Sequence, residues 1–228
     1  QISDFHLGQW LNKERLDHII EMAVGLAPDY FILTGDYLED LPSTYEEDLN
    51  TISHSFLKLS ALCPTNAILG NRDHEINSNW VESSLSKAGV EVLRNSVNII
   101  QRGTSKLHIA AVDDVRERMD RLDLVMEAHP EDGAAILLAH EPDFADVSAA
   151  TGRFDLQLSG HTHGGQIVLP LLGPPLLYFP RWDGNSPVVF IISTTCYFIQ
   201  IGGLVSQRLT PVSIVDRRSR FLHWNPPE

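Results

Sequence analysis

Leu156-Gln157-Leu158-Ser159-Gly160-His161-Thr162-His163-Gly164-Gly165-Gln166-Ile167 reads as an apolar strand that ends in a glycine, with two imidazoles at i and i+2 and two further glycines behind them. Side chains two apart in extended backbone point the same way, so His161 and His163 can face one point in space. The flanking glycines let the chain turn sharply and come close to whatever sits there. Two histidines alone do not establish a metal site, so the reading depends on what the other strands deliver.

Working outward, the same arrangement recurs. Ala134-Ala135-Ile136-Leu137-Leu138-Ala139 is a continuous apolar run that delivers His140-Glu141-Pro142-Asp143. Tyr30-Phe31-Ile32-Leu33-Thr34 delivers Gly35-Asp36, and Ala67-Ile68-Leu69 delivers Gly70-Asn71-Arg72-Asp73-His74. Such short, unbroken apolar runs suit strands covered on both faces. At the start, Gln1-Ile2-Ser3 leads into Asp4-Phe5-His6, again with i and i+2 on one face. Helical spacing of Leu16, Ile19, Ile20, Ala23 and Val24 predicts a helix over 12–27, ended by Pro28. Thr44 with Glu47 three residues on reads as a capping box opening a helix to about residue 62. Further helices are expected near 79–88 and 122–128, and strands over 90–93, 97–101 and 107–112, the last ending in Asp113-Asp114. Each polar cluster thus follows the carboxyl end of an apolar strand, where open α/β sheets place ligands.

The bulk numbers frame this pattern. A chain of 228 residues, 43% hydrophobic, suits one domain with a sizeable core. A formal charge of −13 without a basic cluster argues against a nucleic-acid partner. Cys63 and Cys196, far apart, make no disulfide framework, and no run is long and apolar enough to span a bilayer. The opening Gln1-Ile2-Ser3-Asp4 reads as the end of a strand whose start is missing. A preceding segment, and membrane association through it, is therefore an open expectation.

Together the strand ends offer Asp4, His6, Asp36, Asn71, His140, His161 and His163. Singly these are turn residues, caps and core histidines. Jointly, carboxylate oxygen with imidazole nitrogen suits Mn, Zn or Fe, and a single carboxylate between two ligand sets suggests a bridged pair of ions.

Asp-x-His, Gly-Asp, Gly-Asn-x-Asp, an isolated His and Gly-His-Thr-His, in this order, resemble the calcineurin-like metallophosphoesterases. The longer Ala-His-Glu-Pro-Asp-Phe-Ala-Asp and Ser-Gly-His-Thr-His-Gly-Gly-Gln are similar to the bacterial branch described as phosphodiesterases or phosphohydrolases. The resemblance covers residues 1–177, the expected domain, and implies an α/β fold: a four-layer αββα sandwich of two mixed β-sheets. It implies two divalent metal ions, Mn first, with Zn, Fe or Mg as alternatives. One ion falls to Asp4, His6, Asp36 and His163 and the other to Asp36, Asn71, His140 and His161, Asp36 bridging. Two cations roughly 3.5–4 Å apart acidify a bridging water and clamp an in-line displacement at phosphorus, so a bridging hydroxide is the expected nucleophile. The expected substrate is a small phosphorylated molecule, with nucleotide-linked or lipid-linked diphosphates among the candidates. On the resemblance the location is cytoplasmic or membrane-associated. A phosphomonoesterase, or a catalytically silent metal-binding scaffold, is the alternative.

One departure concerns the catalytic set, Arg72, Asp73 and His74. The family carries His where this chain has Arg72. Arginine cannot donate a proton at working pH, but it can neutralise a transferring phosphoryl group bidentately. The same Gly-Asn-Arg-Asp occurs in the related UDP-2,3-diacylglucosamine hydrolases, which tilts the expectation towards pyrophosphate or activated diester bonds. His74 is the alternative proton source, and Asp73 is expected to orient Arg72 or His74. Residues 178–228 form an atypical C-terminal tail. Residues 188–201 are a long apolar run without turns, and 215–220 are basic. With free codon choice, a reading one frame over from Trp182 restores family-like closing strands, so a frame error near Tyr178 to Pro180 is expected to have replaced the last strands.

Overall fold

The computed structural model describes residues 1–9, 11–39, 43–130 and 132–163, together with the backbone of 190–193, 214–215 and 221–222. Gly164, Gly165 and most of the tail read above lie outside the described residues.

Local chemistry sets the helices. Asn12 caps α1 (Lys13–Gly25), its side chain accepting from the Arg15 N–H at 3.1 Å. α2 (Tyr45–Leu62) begins at Thr44 as expected, but the box does not close. Thr44 has ψ −1° and makes no side-chain bond to the helix backbone. Glu46, Glu47 and Asp48 still place negative charge at the positive end of the helix. α4 (Ser78–Lys87) and α5 (Leu122–Ala128) fall where the spacing put them.

Two short helices were not legible as such. α3 (Asn71–Ile76) forms within the polar cluster because the Asp73 carboxylate accepts the Gly70 N–H at 2.8 Å and closes the first turn. A 3₁₀ turn at Pro142–Phe144 leads into α6 (Ala145–Ala150), with Pro142 supplying a fixed φ at its start.

The strands form two main sheets. β1 (Phe31–Thr34), β2 (Thr65–Ile68) and β3 (Glu91–Val92) pair in parallel. Ile2 bridges Leu33 in parallel at the other edge, so the chain's opening residues extend that sheet. In the second sheet β4 (Ser96–Arg102) runs antiparallel to β5 (Ser105–Ala111). β6 (Ala134–Leu138), β7 (Leu156–Ser159) and β8 (Phe190–Ser193) then follow in parallel. β8 is the part of the apolar run at 188–201 that is described, and its backbone covers the β7 edge. A small antiparallel ribbon joins β9 (Ile214–Val215) and β10 (Phe221–Leu222).

Side-chain alternation divides the core into three layers. Phe31, Leu33, Ala67 and Leu69 face α1, α2 and α4 through Leu16, Ile20, Phe56 and Leu85. Ile68, Ile109, Ala111, Leu138 and Leu158 fill the space between the sheets. Ala110, Leu137 and Ala139 face the other way, against Val125, Phe144 and Phe154. The result is an αββα sandwich, and it explains the unbroken apolar runs: both faces of β1, β2, β5 and β6 are covered. Each fully buried leucine here stabilises the fold enough that truncation to alanine costs about 2–5 kcal/mol. The parallel strands of both sheets end at one rim, which gathers the polar clusters.

Candidate metal centre

At that rim the residues following Ile2, β1, β2, β6 and β7 meet. Asp4, His6 and His163 offer ligand atoms within 4.8 Å of one another, and so do Asp36, His140 and His161. His6 Nε2 and His163 Nε2 are 3.0 Å apart. Asp4 Oδ1 lies 3.5 Å from His163 Nε2 and 3.9 Å from His6 Nε2. Asn71 joins the second group, its Oδ1 2.9 Å from His161 Nδ1. Asp36 sits between the groups. Its Oδ1 accepts the Arg72 backbone N–H at 3.0 Å. Its Oδ2 lies 3.6 Å from His6 Nε2 and 3.3 Å from His140 Nε2.

The backbone is bent to achieve this. Asp4, His6, Asp36, His161 and His163 all have φ between 45° and 67°, a left-handed conformation that is uncommon for residues with a Cβ. Strain of this kind, of order 1–3 kcal/mol per residue, persists where the surroundings over-determine it and clusters at functional sites. Close approach adds to it. A Cβ on Gly70 would overlap Asp36 Oδ1 and come within 2.7 Å of His140 Cε1. One on Gly160 would overlap Ser3 Oγ and lie 2.6 Å from Asp4 Oδ2. The glycine that ends β7 is therefore required by the packing of Asp4 beneath it.

Supporting bonds aim the donors. The Thr34 carbonyl can only accept, so His140 Nδ1, 2.6 Å away, carries the hydrogen. That leaves His140 Nε2 directed at Asp36, fully buried and without a hydrogen bond. An orphaned imidazole nitrogen facing a carboxylate is the arrangement a cation satisfies. The His161 N–H donates to Asp4 at 2.9 Å, fastening the loop after β7 to the first strand end. Asp73 is completely buried and holds two loops together. Its Oδ2 accepts from the Asp36 and Gly70 N–H groups at 2.9 and 2.8 Å, and its Oδ1 from Tyr37 N–H at 2.9 Å. Asp73 was expected to orient Arg72 or His74; the bonds it makes orient the Asp36 and Asn71 loops instead.

Electrostatics agree with a site that calls for positive charge. Burial opposes protonation of His140, yet the Asp36 carboxylate overrides it and raises its pKa to about 10. Burial alone would raise Asp36, but the His140 and His6 charges and the Arg72 backbone N–H hold it far below the carboxylate range. Burial, then the His140 charge, pushes His161 down to about 4. Burial likewise lowers His6 and raises Asp4. Burial and Asp36 push Asp73 up to about 7, against its N–H donors.

The remaining predicted residues sit further out. The Arg72 guanidinium, about half exposed, pairs with Glu75 Oε2 at 2.8 Å. Glu75 Oε1 in turn accepts from Asn71 Nδ2 at 3.4 Å. His74 is buried, its Nε2 2.8 Å from Asp113 Oδ1, while Arg94 Nε donates to Asp113 Oδ2 at 2.7 Å. Sequence reading missed Glu75 and the pairing of Asp113 with His74 and Arg94. Glu75 lies one turn from Asn71, a signal that appears only once 71–76 is known to be helical.

A buried cluster of carboxylates and imidazoles at the strand-end rim of an αββα sandwich is the donor set of a metal-binding class of fold. Residues 1–165 match the calcineurin-like phosphoesterase family, and the chain belongs to it. It is 36% identical over 176 residues to the uncharacterized metallophosphoesterase YkuE of Bacillus subtilis, covering 76% of this chain and 60% of that protein. It is 28% identical over 178 residues to the phosphodiesterase YaeI of Escherichia coli, covering 76% and 63%. The chain thus spans about three-fifths of the length of these relatives. A putative 5'-nucleotidase structure from Staphylococcus aureus shares the fold, with a TM-score of 0.50 at 14% identity over 86% of this chain and 48% of that one.

Proposed function

We propose that this chain is a dinuclear metal-dependent hydrolase of phosphodiester or pyrophosphate bonds. One observation carries the reading: Asp36 Oδ2 faces His6 at 3.6 Å and His140 at 3.3 Å, a position from which one oxygen serves both donor groups. Asp4, His6, Asp36 and His163 hold one divalent cation, and Asp36, Asn71, His140 and His161 hold the other. When bound, such a pair supplies an acidified water and Lewis acidity at the phosphoryl oxygens. The chain's own part is to fix the geometry. Thr34 sets the His140 tautomer, Asp73 locks the Asp36 and Asn71 loops, and Glu75 holds the Asn71 amide so that its oxygen faces His161. Asp4 and Asp36 would repel an anionic substrate if left uncompensated, so turnover depends on metal. The phosphodiesterase relative supports the diester reading.

Metal analysis of the purified protein, followed by Mn addition and assays on bis-p-nitrophenyl phosphate and p-nitrophenyl phosphate, tests this. Two ions per chain and faster turnover of the diester are expected. Faster turnover of the monoester points to a phosphomonoesterase, and bound metal with no turnover to a silent scaffold; either overturns the reading.

A further inference from the structure

The candidate metal centre draws its donors from both sheets. Asp4, His6, Asp36 and Asn71 follow Ile2, β1 and β2 of the first sheet, while His140, His161 and His163 follow β6 and β7 of the second. Each donor group takes residues from both, so the spacing of the sheets at the rim sets the spacing of the ligand atoms. Around Asp4 and Asp36 the two sides are joined directly. His140 Nδ1 donates to the Thr34 carbonyl at 2.6 Å, and the His161 N–H to Asp4 at 2.9 Å. Asn71 stands apart from these bonds, on α3, a helix of only six residues.

His74 ties that helix to the second sheet. It lies one turn after Asn71, on the same side of α3, and its Nε2 is 2.8 Å from Asp113 Oδ1. The carboxylate accepts, so Nε2 carries the hydrogen. Both side chains are buried, 7% and 4% exposed. Asp113 continues the line of β5 past Val112, whose N–H still donates to the Leu138 carbonyl of β6 at 3.1 Å. It also meets the chain where that chain crosses between the sheets. Arg94, on the link from β3 to β4, donates from Nε to Asp113 Oδ2 at 2.7 Å and from Nη1 to Glu82 of α4 at 3.2 Å. Asn95 Oδ1 accepts the Asp113 N–H at 2.9 Å. A carboxylate fixed in this way is a rigid anchor for a short helix that carries a metal donor.

We propose that His74 and Asp113 are positioning residues for the metal centre: their bond clasps α3 to the end of β5 and so aims the Asn71 oxygen at the second ion. This rests on reading the donor cluster as a two-ion centre. Calorimetric titration of Mn into the metal-free protein tests it, with the thermal midpoint of each variant measured alongside. Asp113→Asn and His74→Ala weaken the second Mn by on the order of tenfold and leave the first native. His74→Gln, whose amide can still donate to Asp113, recovers part of the loss. Combining Asp113→Asn with Asn71→Ala does no worse than Asn71→Ala alone, since both act at one ligand. Asn98→Ala is the control. Asn98 Nδ2 donates to Tyr30 Oη at 3.1 Å and to Asn66 Oδ1 at 3.0 Å, a polar tie between the sheets away from the donor residues. Its loss lowers the thermal midpoint but leaves both Mn affinities native. Native affinities in Asp113→Asn, additive losses in the double variant, or an equal loss in Asn98→Ala overturn the proposal. A native protein that takes one Mn, still weakened non-additively by Asp113→Asn and Asn71→Ala, would retire the two-ion reading and leave the clasp standing. Two ions with additive losses does the reverse.

Discussion

Two places in the second sheet bury histidines with unsatisfied ring nitrogens, and they differ in nearly everything else. At the rim, His140 and His161 meet edge-on at 5.2 Å, with Asp36 between them and the other donor group. In the middle of β5, His108 stacks on His129 at 4.7 Å with ring planes 15° apart. His108 is completely buried with both ring nitrogens unpartnered, and His129 Nε2 is unpartnered too. Yet no carboxylate joins them in a metal-binding group among the described residues, and neither has the left-handed backbone of Asp4, His6, Asp36, His161 and His163. Parallel stacked rings also direct their nitrogen lone pairs side by side rather than at one point. An orphaned imidazole nitrogen is therefore weak evidence of a metal; convergence on a carboxylate from strained strand ends is strong evidence.

The largest expected effect comes from removing the carboxylate that makes the difference. Asp36→Asn keeps volume and shape but takes away the charge facing both groups. Loss of several kcal/mol of stabilisation at the reacting centre corresponds to a drop of about a thousandfold or more in turnover. Metal analysis of the variant should find the content falling below that of the native protein. An Asn variant with native metal content and native rate would erase the contrast between the two histidine clusters.

Next in size is the scaffold beneath the rim. Asp73→Asn replaces an oxygen that accepts backbone N–H groups with an amide that donates, which loosens the Asp36 and Asn71 loops together. A fall of roughly 10–100-fold in metal affinity is expected, typical of groups that orient ligands. Competition with a metallochromic chelator measures it. Restoration of the rate at high Mn would mark a positioning role; a rate that stays low at saturating metal would place Asp73 in the chemistry itself.

This contrast also explains how much could be read from the chain alone. The seven residues that the structure gathers at the rim were legible as a set because most of them follow apolar runs that suit covered strands, and strand ends are where such sheets present ligands. His108 sits inside its run, between Leu107 and Ile109, and nothing pointed to it. Asp73 was visible as an acid but its partners were not, because they are backbone N–H groups on another loop. Arg72 was read as a phosphate-binding group from its place in Gly-Asn-Arg-Asp. The fold of α3 brings Glu75 within reach of it, and residue spacing reveals that pairing only once the segment is helical. Thr34 acts through its carbonyl, which any residue would supply.

A subtler effect separates the clusters by pH. Burial, outweighing the Pro130 carbonyl bond, holds His129 below its ordinary value. The unfolded chain binds a proton near pH 6.5 that the folded protein resists. Its contribution to stability is therefore complete above about pH 6.5 and falls as pH drops below it, by at most about 1.4 kcal/mol per pH unit. His74 behaves oppositely. Burial would lower it, but the Asp113 hydrogen bond and charge raise it, so its contribution is complete below about pH 6.5 and is lost as pH rises through the folded value. Thermal midpoints between pH 5 and 8 should show His129→Phe losing part of the acid-side decline and His74→Gln losing part of the alkaline-side decline. Identical profiles for native and variant proteins would mean that neither ring titrates on unfolding.

The smallest expected effect is the most discriminating for the rim. The Arg72 guanidinium is about half exposed, and its observed partner is Glu75. Such a pair contributes about 0–1 kcal/mol, so Arg72→Ala should lower turnover by no more than about fivefold, acting through Glu75 and the Asn71 amide. Glu75→Gln should lower it by a similar factor, and the double variant should do no worse than the poorer single, because both changes cut one chain of contacts. A hundredfold loss in Arg72→Ala alone, with Glu75→Gln near native, would mean that the guanidinium leaves Glu75 for the substrate. Arg72 would then be a phosphate-binding arginine in its own right, and the distinction between an inner cluster of donors and an outer pair that only supports it would have to be redrawn.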